Sequence, residues 1–203
     1  QSGQDWDGFR VSGATLTKAD LADVERRLLG TGHRFDWSAG ISVAERPDIY
    51  KSRGDGDQVD ERFSHPDAPQ GDPDEAGRAL AGVGDNVVRH DADITGIARF
   101  IRTNERVLDY LTNGVPHGII AVIDDSGGTL TAPILEQFKG VICAGGTVRS
   151  HLGILTREYG IPCVMNAKVS GIKEGDRVEI ESTATAKTAE AYQTGVEMTA
   201  RIW

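Results

Sequence analysis

Cysteine is almost absent from this 203-residue chain, where Cys143 and Cys163 are the only two. So few thiols exclude a disulfide-stapled secreted scaffold and fit a reduced, cytoplasmic protein. They flank a histidine segment, but no close-spaced pair supplies a zinc pattern, and no metal site is expected. Each cysteine sits in an apolar, strand-like run, where a buried free thiol is the better reading. Long apolar runs are missing as well. None approaches the ~18 residues a membrane span needs, and no signal-peptide pattern is found. Positive charge is the next deficit: Lys and Arg number 22 against 31 Asp and Glu, for a formal net charge of −9. That balance argues against nucleic-acid and anionic-membrane partners. The chain also lacks a Walker loop and the protein-kinase signature set. Its length allows one or two domains with a respectable core.

What the chain does have is one ordered stretch, Gly145-Gly146-Thr147-Val148-Arg149-Ser150-His151-Leu152-Gly153-Ile154-Leu155-Thr156-Arg157-Glu158-Tyr159-Gly160-Ile161-Pro162. Ser150 is a good N-cap, whose hydroxyl can accept from a first-turn amide, and this places His151 at the first helical position. Leu152, Leu155 and Tyr159 recur at helical spacing with Ile154 beside them, and Gly160 with Pro162 stops the run. Backbone N–H groups point outward at such a terminus, and the helix dipole favours an anion there. The glycine pair lets the backbone approach closely and can form a nest for phosphate oxygens. An imidazole so placed can act as a phosphoryl acceptor through its neutral nitrogen.

These residues resemble the signature of the phosphohistidine (swivelling, or mobile) domain of phosphoenolpyruvate-utilising enzymes. That pattern runs Gly-Gly-x-Thr-Ser-His, small and apolar residues, Ala-Arg, then Gly-x-Pro-Ala-Val. Gly145, Gly146, Ser150, His151, Ile154, Arg157, Gly160 and Pro162 match it, within a region of similarity from about residue 117 to 180. The resemblance implies that His151 is the phosphorylated residue; Gly145, Gly146, Thr147, Arg149 and Ser150 are the candidate phosphate-binding residues around it, with Arg157 in support. Departures are visible too. Three residues, not two, separate the glycine pair from Ser150; Arg149 stands where the family has threonine; and Gly153 and Thr156 replace alanines of the helix. Arg149 could offer a bidentate guanidinium to a phosphate or remain a solvated loop residue.

The rest of the chain reads as follows. Thr17 is expected to cap a helix with Leu21, Val24 and Leu28 on its apolar stripe before Gly30. Trp6, Phe9, Phe35 and Trp37 either pack a small N-terminal unit or dock onto another subunit. Residues 51–86 are rich in Gly, Pro and Asp and read as a long loop or linker. The Asp55-Gly56-Asp57 run lacks the remaining calcium ligands, and His33 and His65 read as surface residues. Asp93 is expected to cap a helix through Ile94, Ile97, Ile101, Leu108 and Leu111 to Gly114, with Arg99, Arg102 and Arg106 on its polar side. Ile119 to Ile123 reads as a buried strand followed by a turn containing Gly127-Gly128, and Thr131 as the cap of a short helix with Pro133 in its first turn. Val141 to Cys143 and Cys163 to Met165 read as strands. Gly171 to Ile180 reads as a turn feeding a strand whose Lys-x-Gly-Asp-x-Val resembles the closing segment of the same family domain. The Ala- and Thr-rich segment from Thr183 to Thr194 and the end at Trp203 carry no clear pattern.

Interleaved strands and helices argue an α/β domain. The resemblance sharpens this to a swivelling β/β/α phosphohistidine domain over residues 90–203, with an N-terminal extension over 1–89 for linker or docking duty. It also implies a carrier subunit that binds no cofactor itself. ATP and Mg2+ are expected on an ATP-grasp-type partner that loads His151, and the phosphoryl group then passes to a small-molecule acceptor. Separate chains of this kind resemble subunits of aryl phosphate synthases, which act on phenol or cresol; pyruvate or another alcohol is the alternative acceptor. Two rival readings stay open: a regulatory or scaffold subunit that accepts no phosphate, and a structural histidine at a helix start.

Overall fold

The computed structural model describes residues 18–32, 62–65, 67–69, 71, 73–124 and 131–203. The chain divides into two compact units, Gln1–Phe35 and Asp36–Trp203. In the first, helix α1 spans Lys18–Leu29, with Asp20 in its first turn and Arg26 and Arg27 in its last, which complements the helix dipole. Thr17, Trp6, Phe9, His33, Phe35 and Trp37 lie outside the described residues, as do Asp55-Gly56-Asp57 and Gly127-Gly128.

The second unit is built on eight strands: β1 (Arg62–Ser64), β2 (Gly82–Asn86), β3 (Ile94–Phe100), β4 (Ile119–Ile123), β5 (Gly140–Cys143), β6 (Cys163–Lys173), β7 (Arg177–Ile180) and β8 (Thr199–Ile202). Neighbours run β1-β6-β2-β8-β7-β3-β4-β5, and a further β5–β6 pairing closes seven of them into a barrel. β3, β4, β5 and the start of β6 are mutually parallel; β7, β8 and β2 complete the ring with antiparallel pairs. Parallel neighbours need crossover connections. Here these are helix α2 (Asn104–Asn113), a 3-10 turn (Ala132–Gln137) and helix α3 (His151–Glu158), followed later by the short helix α4 (Ala189–Thr194). The expected mixed α/β character is therefore present, with the two β layers joined into one closed wall. The expected boundary at residues 89 and 90 cuts through this sheet, because β1 and β2 pair with β6 and β8.

Side-chain alternation explains why the parallel wall is apolar on both faces. Ile119, Ala121 and Ile123 of β4 and Val141 and Cys143 of β5 pack with Leu152, Ile134, Leu135 and Tyr110 from the connections. Ile120, Val122 and Ile142 turn the other way, into a barrel interior shared with Ala98, Phe100, Val178, Ile180, Ala200 and Ile202. β6 serves both cores by changing phase. Cys163 and Met165 face the helix side, yet Ala167 and Val169 face the interior. The change falls at Asn166, which has φ 49, and the β2–β6 register slips at the same place. One extra residue at a bulge flips every following side chain, and asparagine tolerates the left-handed backbone that this requires. Asn166→Gly is therefore expected to leave stability within about 0.5 kcal/mol, whereas Asn166→Val is expected to cost roughly 1–2 kcal/mol in denaturant titration.

Several sequence expectations are corrected. The helix expected from Asp93 to Gly114 is a strand followed by a shorter helix: β3 takes Ile94–Phe100, and α2 begins at Asn104 with Thr103 as its cap, although it does end at Gly114. The strand expected over Cys163 to Met165 runs on to Lys173, so the turn narrows to Glu174-Gly175. His65, read as a surface residue, is buried, and its Nδ1 accepts from the Asp67 amide. The unassigned C-terminal segment supplies α4 and the barrel strand β8. Both cysteines are buried and outside any disulfide, and burial pushes the Cys163 thiol up to about 12.

Candidate phosphoryl-acceptor site

The site is built where β5 delivers the chain to α3. Cys143 ends the strand inside the core, and its thiol donates to the Gly145 carbonyl at 3.3 Å, pinning the start of the loop. Gly146 then turns with φ 73, a conformation open to glycine at little cost. A tight turn follows, closed by the Ser150 amide donating to the Thr147 carbonyl at 2.9 Å. The Thr147 hydroxyl accepts from the Arg149 amide at 3.2 Å. Val148, inside this turn, is buried among the helix-side core residues with Leu152. The loop is thus nailed down by an apolar side chain in its middle, and burial of a valine is worth about 1.5–3 kcal/mol.

Ser150 is the N-cap of α3, as expected, with extended φ −69 and ψ 166. Its hydroxyl differs from expectation. It makes no capping bond and instead donates back to the Thr147 carbonyl at 2.7 Å. The first-turn amides of His151, Leu152 and Gly153 have no intrahelical acceptor by helix geometry, so this terminus keeps its donors for something else. His151 is the first helical residue, and it is exposed. Ser150 joins Arg149, in the turn, to His151, at the helix start. Arg149 is exposed, and its guanidinium lies over the Tyr192 ring, 5.5 Å from the centroid. Arg157 reaches back to the loop and donates to the Val148 carbonyl at 3.0 Å, so its position supports the loop. His151, Arg149, Ser150, Thr147 and the glycine pair therefore sit together in one loop and one helix start.

Leu152 and Leu155 of the expected stripe pack on the helix-side core. Leu152, Gly153 and Thr156 are its buried positions, while Ile154 and Tyr159 are exposed. Thr156 donates to the Gly153 carbonyl at 3.2 Å and lies against the Cys163 thiol. Gly153 has a reason to be glycine. A Cβ there would come within 2.8 Å of the Val148 carbonyl oxygen and 3.0 Å of its carbon. The loop backbone lies close against the helix here, and the absent side chain makes room. In most helix interiors Gly→Ala stabilises by up to about 1 kcal/mol. Gly153→Ala is expected to show the opposite sign, a loss of about 1–3 kcal/mol in thermal or urea unfolding. A gain in stability would show that the loop and helix are not in this contact.

Tyr192 is the residue that sequence reasoning missed. It comes from α4, in a segment with no hydrophobic periodicity, and only Ala191 and Tyr192 of that helix are buried. Arg102 also moves. Expected on a helix face, it forms a buried ion pair with Asp124, its Nε 2.6 Å from one carboxylate oxygen. Arg99 and Arg106 both meet Glu174, so the three arginines form no stripe. Among the described residues, no three His, Cys, Asp or Glu side chains gather as a metal site, and no helix is long and apolar enough to cross a membrane.

The barrel carries its helices on the parallel wall, and an exposed histidine stands where a glycine loop enters one of them, at a terminus whose dipole favours an anion. Residues 115–184 match the family model of the PEP-utilising enzyme, mobile domain, where PEP is phosphoenolpyruvate. The match covers about a third of the chain and contains every residue of the loop and of α3. It supports a phosphohistidine-type mobile domain over those residues and involvement in phosphoryl transfer. β2, β3, α2 and β8 lie beyond it. No curated protein matches the chain.

Proposed function

We propose that this chain is the phosphoryl-carrier subunit of an ATP-dependent phosphotransferase resembling phosphoenolpyruvate synthase. The observation that carries the reading is the placement of His151, exposed at the first position of α3 behind the glycine loop. In the loading step a lone pair on the neutral imidazole forms the N–P bond. The P–O bond to the nucleotide breaks with its electrons leaving on oxygen, and the other ring nitrogen gives up its proton. In the second step an acceptor hydroxyl oxygen attacks phosphorus and loses its proton, while the N–P electron pair returns to the ring. First-turn amides of α3, the Gly145-Gly146 loop, Thr147, Ser150 and the Arg149 guanidinium offset the phosphoryl charge. ATP and Mg2+ belong to an ATP-grasp-type partner. The acceptor is a small alcohol, with a phenol or cresol hydroxyl as the first choice because separate carrier chains resemble those of aryl phosphate synthases.

The test uses two donors. Phosphoramidate loads histidine without a partner, and ATP labelled at the β or γ position is added with an ATP-grasp-type chain. The expected product is an acid-labile, base-stable phosphoprotein that transfers its label to phenol or cresol in the complete mixture. A wild-type chain that takes no label from either donor overturns the carrier reading.

A further inference from the structure

We infer that Tyr192 is a positioning residue for the phosphoryl group, acting through Arg149; the inference rests on the carrier reading and deepens it. The guanidinium of Arg149 lies over the Tyr192 ring at 5.5 Å, within the range of a cation–π contact. A guanidinium resting on a ring can keep an edge of N–H donors open. That edge is the part that forks onto two phosphate oxygens. Ring contact and phosphate contact therefore do not compete, and the ring removes rotamer freedom that a free arginine would lose on binding.

The ring itself is well fixed. Tyr192 is 5 % exposed, in contrast to the arginine it carries. α4 is capped at both ends: the Thr188 hydroxyl accepts from the Ala191 amide, and Gly195 closes the last turn in the left-handed conformation. Just before it, Lys187 is buried on Asp85, Nζ to Oδ1 2.9 Å, and its amide donates to the Asn86 carbonyl. The segment from Lys187 to Gly195 is thereby anchored to β2 at one end and presents its one large buried side chain to the histidine loop. Arg149 stands two residues before His151 in the same loop, so the clamped guanidinium is tethered close to the imidazole along the chain.

The experiment measures phosphoramidate loading of the full chain and hydrolysis of the resulting phosphohistidine by 31P NMR. Wild type, Tyr192→Phe, Tyr192→Leu, Arg149→Ala and the Arg149→Ala, Tyr192→Leu double variant are compared, each with its thermal midpoint. Arg149→Ala is expected to slow loading about tenfold and Tyr192→Leu about three- to tenfold, chiefly as a higher KM for phosphoramidate. Tyr192→Phe, which keeps the ring, is expected to load as wild type. The second substitution is expected to add nothing once Arg149 is gone, because the two act as one unit. A merely structural tyrosine would slow both backgrounds alike, and that result overturns the inference. A spectroscopic arm needs no substitution. Loading wild type is expected to shift the Arg149 Nε–H and the Tyr192 ring resonances together, and an unmoved tyrosine overturns the inference. No loading of wild type would overturn the carrier reading itself, whereas equal loading of wild type and Tyr192→Leu would overturn the role of Tyr192 alone.

Discussion

His151→Ala abolishes the acid-labile label, from phosphoramidate and from ATP with its partner alike, while the chain keeps its fold. The loss is expected to reach about a thousandfold or more, because removing a covalent nucleophile eliminates the step that it performs. The fold survives because His151 is exposed and contributes nothing to either core. Thermal midpoints of variant and wild type should agree within about 1–2 °C, since surface substitutions rarely exceed ±0.5 kcal/mol. That pairing of outcomes separates a nucleophile from a structural helix-start residue. If label survives His151→Ala at the wild-type rate, another residue carries the phosphoryl group and the site must be sought elsewhere. Comparing β- and γ-labelled ATP in the same assay tells which phosphate is moved.

The histidine loop was legible in the sequence because all its parts are consecutive. Glycine pair, cap, imidazole and helix stop lie between Gly145 and Pro162, and local rules for turns and helix ends read such a stretch directly. Tyr192 was not, since its link to Arg149 crosses from α4 to the loop and leaves no local pattern. The fold was legible where strands are buried on both faces, as in Ile119–Ile123 and Gly140–Cys143. It failed where barrel geometry replaces bulky residues with small ones. In β3 the buried interior positions are Gly96, Ala98 and Phe100, so glycine and alanine carry the alternation. Meanwhile Ile94, Ile97 and Ile101 fall by chance at helical steps. A Cβ on Gly96 would lie 2.5 Å from the Gly118 carbonyl oxygen, which shows why the weak signal is a packing requirement. β6 failed for another reason. The bulge at Asn166 breaks the period of two, and a reading by alternation stops at Met165.

The arginines of the same region give the largest stability effect expected. Arg102 and Asp124 face each other with Nε–Oδ2 at 2.6 Å and Nη2–Oδ1 at 3.0 Å, a two-pronged contact. Their side chains are 6 % and 7 % exposed, and the guanidinium also lies over the Phe100 ring. Removing one member of such a pair strands the other charge without water. Arg102→Ala is therefore expected to cost about 3–5 kcal/mol, or on the order of 10 °C in Tm for a chain of this size. Replacing both partners by leucine is expected to restore much of that loss, because the desolvation cost disappears with the charges. Arg106→Ala is the control. Its side chain is 34 % exposed and its partner Glu174 also meets Arg99, so solvent screening holds the expected cost to about 1 kcal/mol or less. The contrast also bears on function. Arg102 follows β3 and Asp124 follows β4 at the same end of the parallel wall from which the histidine loop leaves β5, but an arginine committed to a buried carboxylate has no spare fork for a nucleotide. If Arg102→Ala proved no more costly than Arg106→Ala while weakening ATP binding, the pair would be no anchor, and the nucleotide would have to be sought on this chain instead of on its partner.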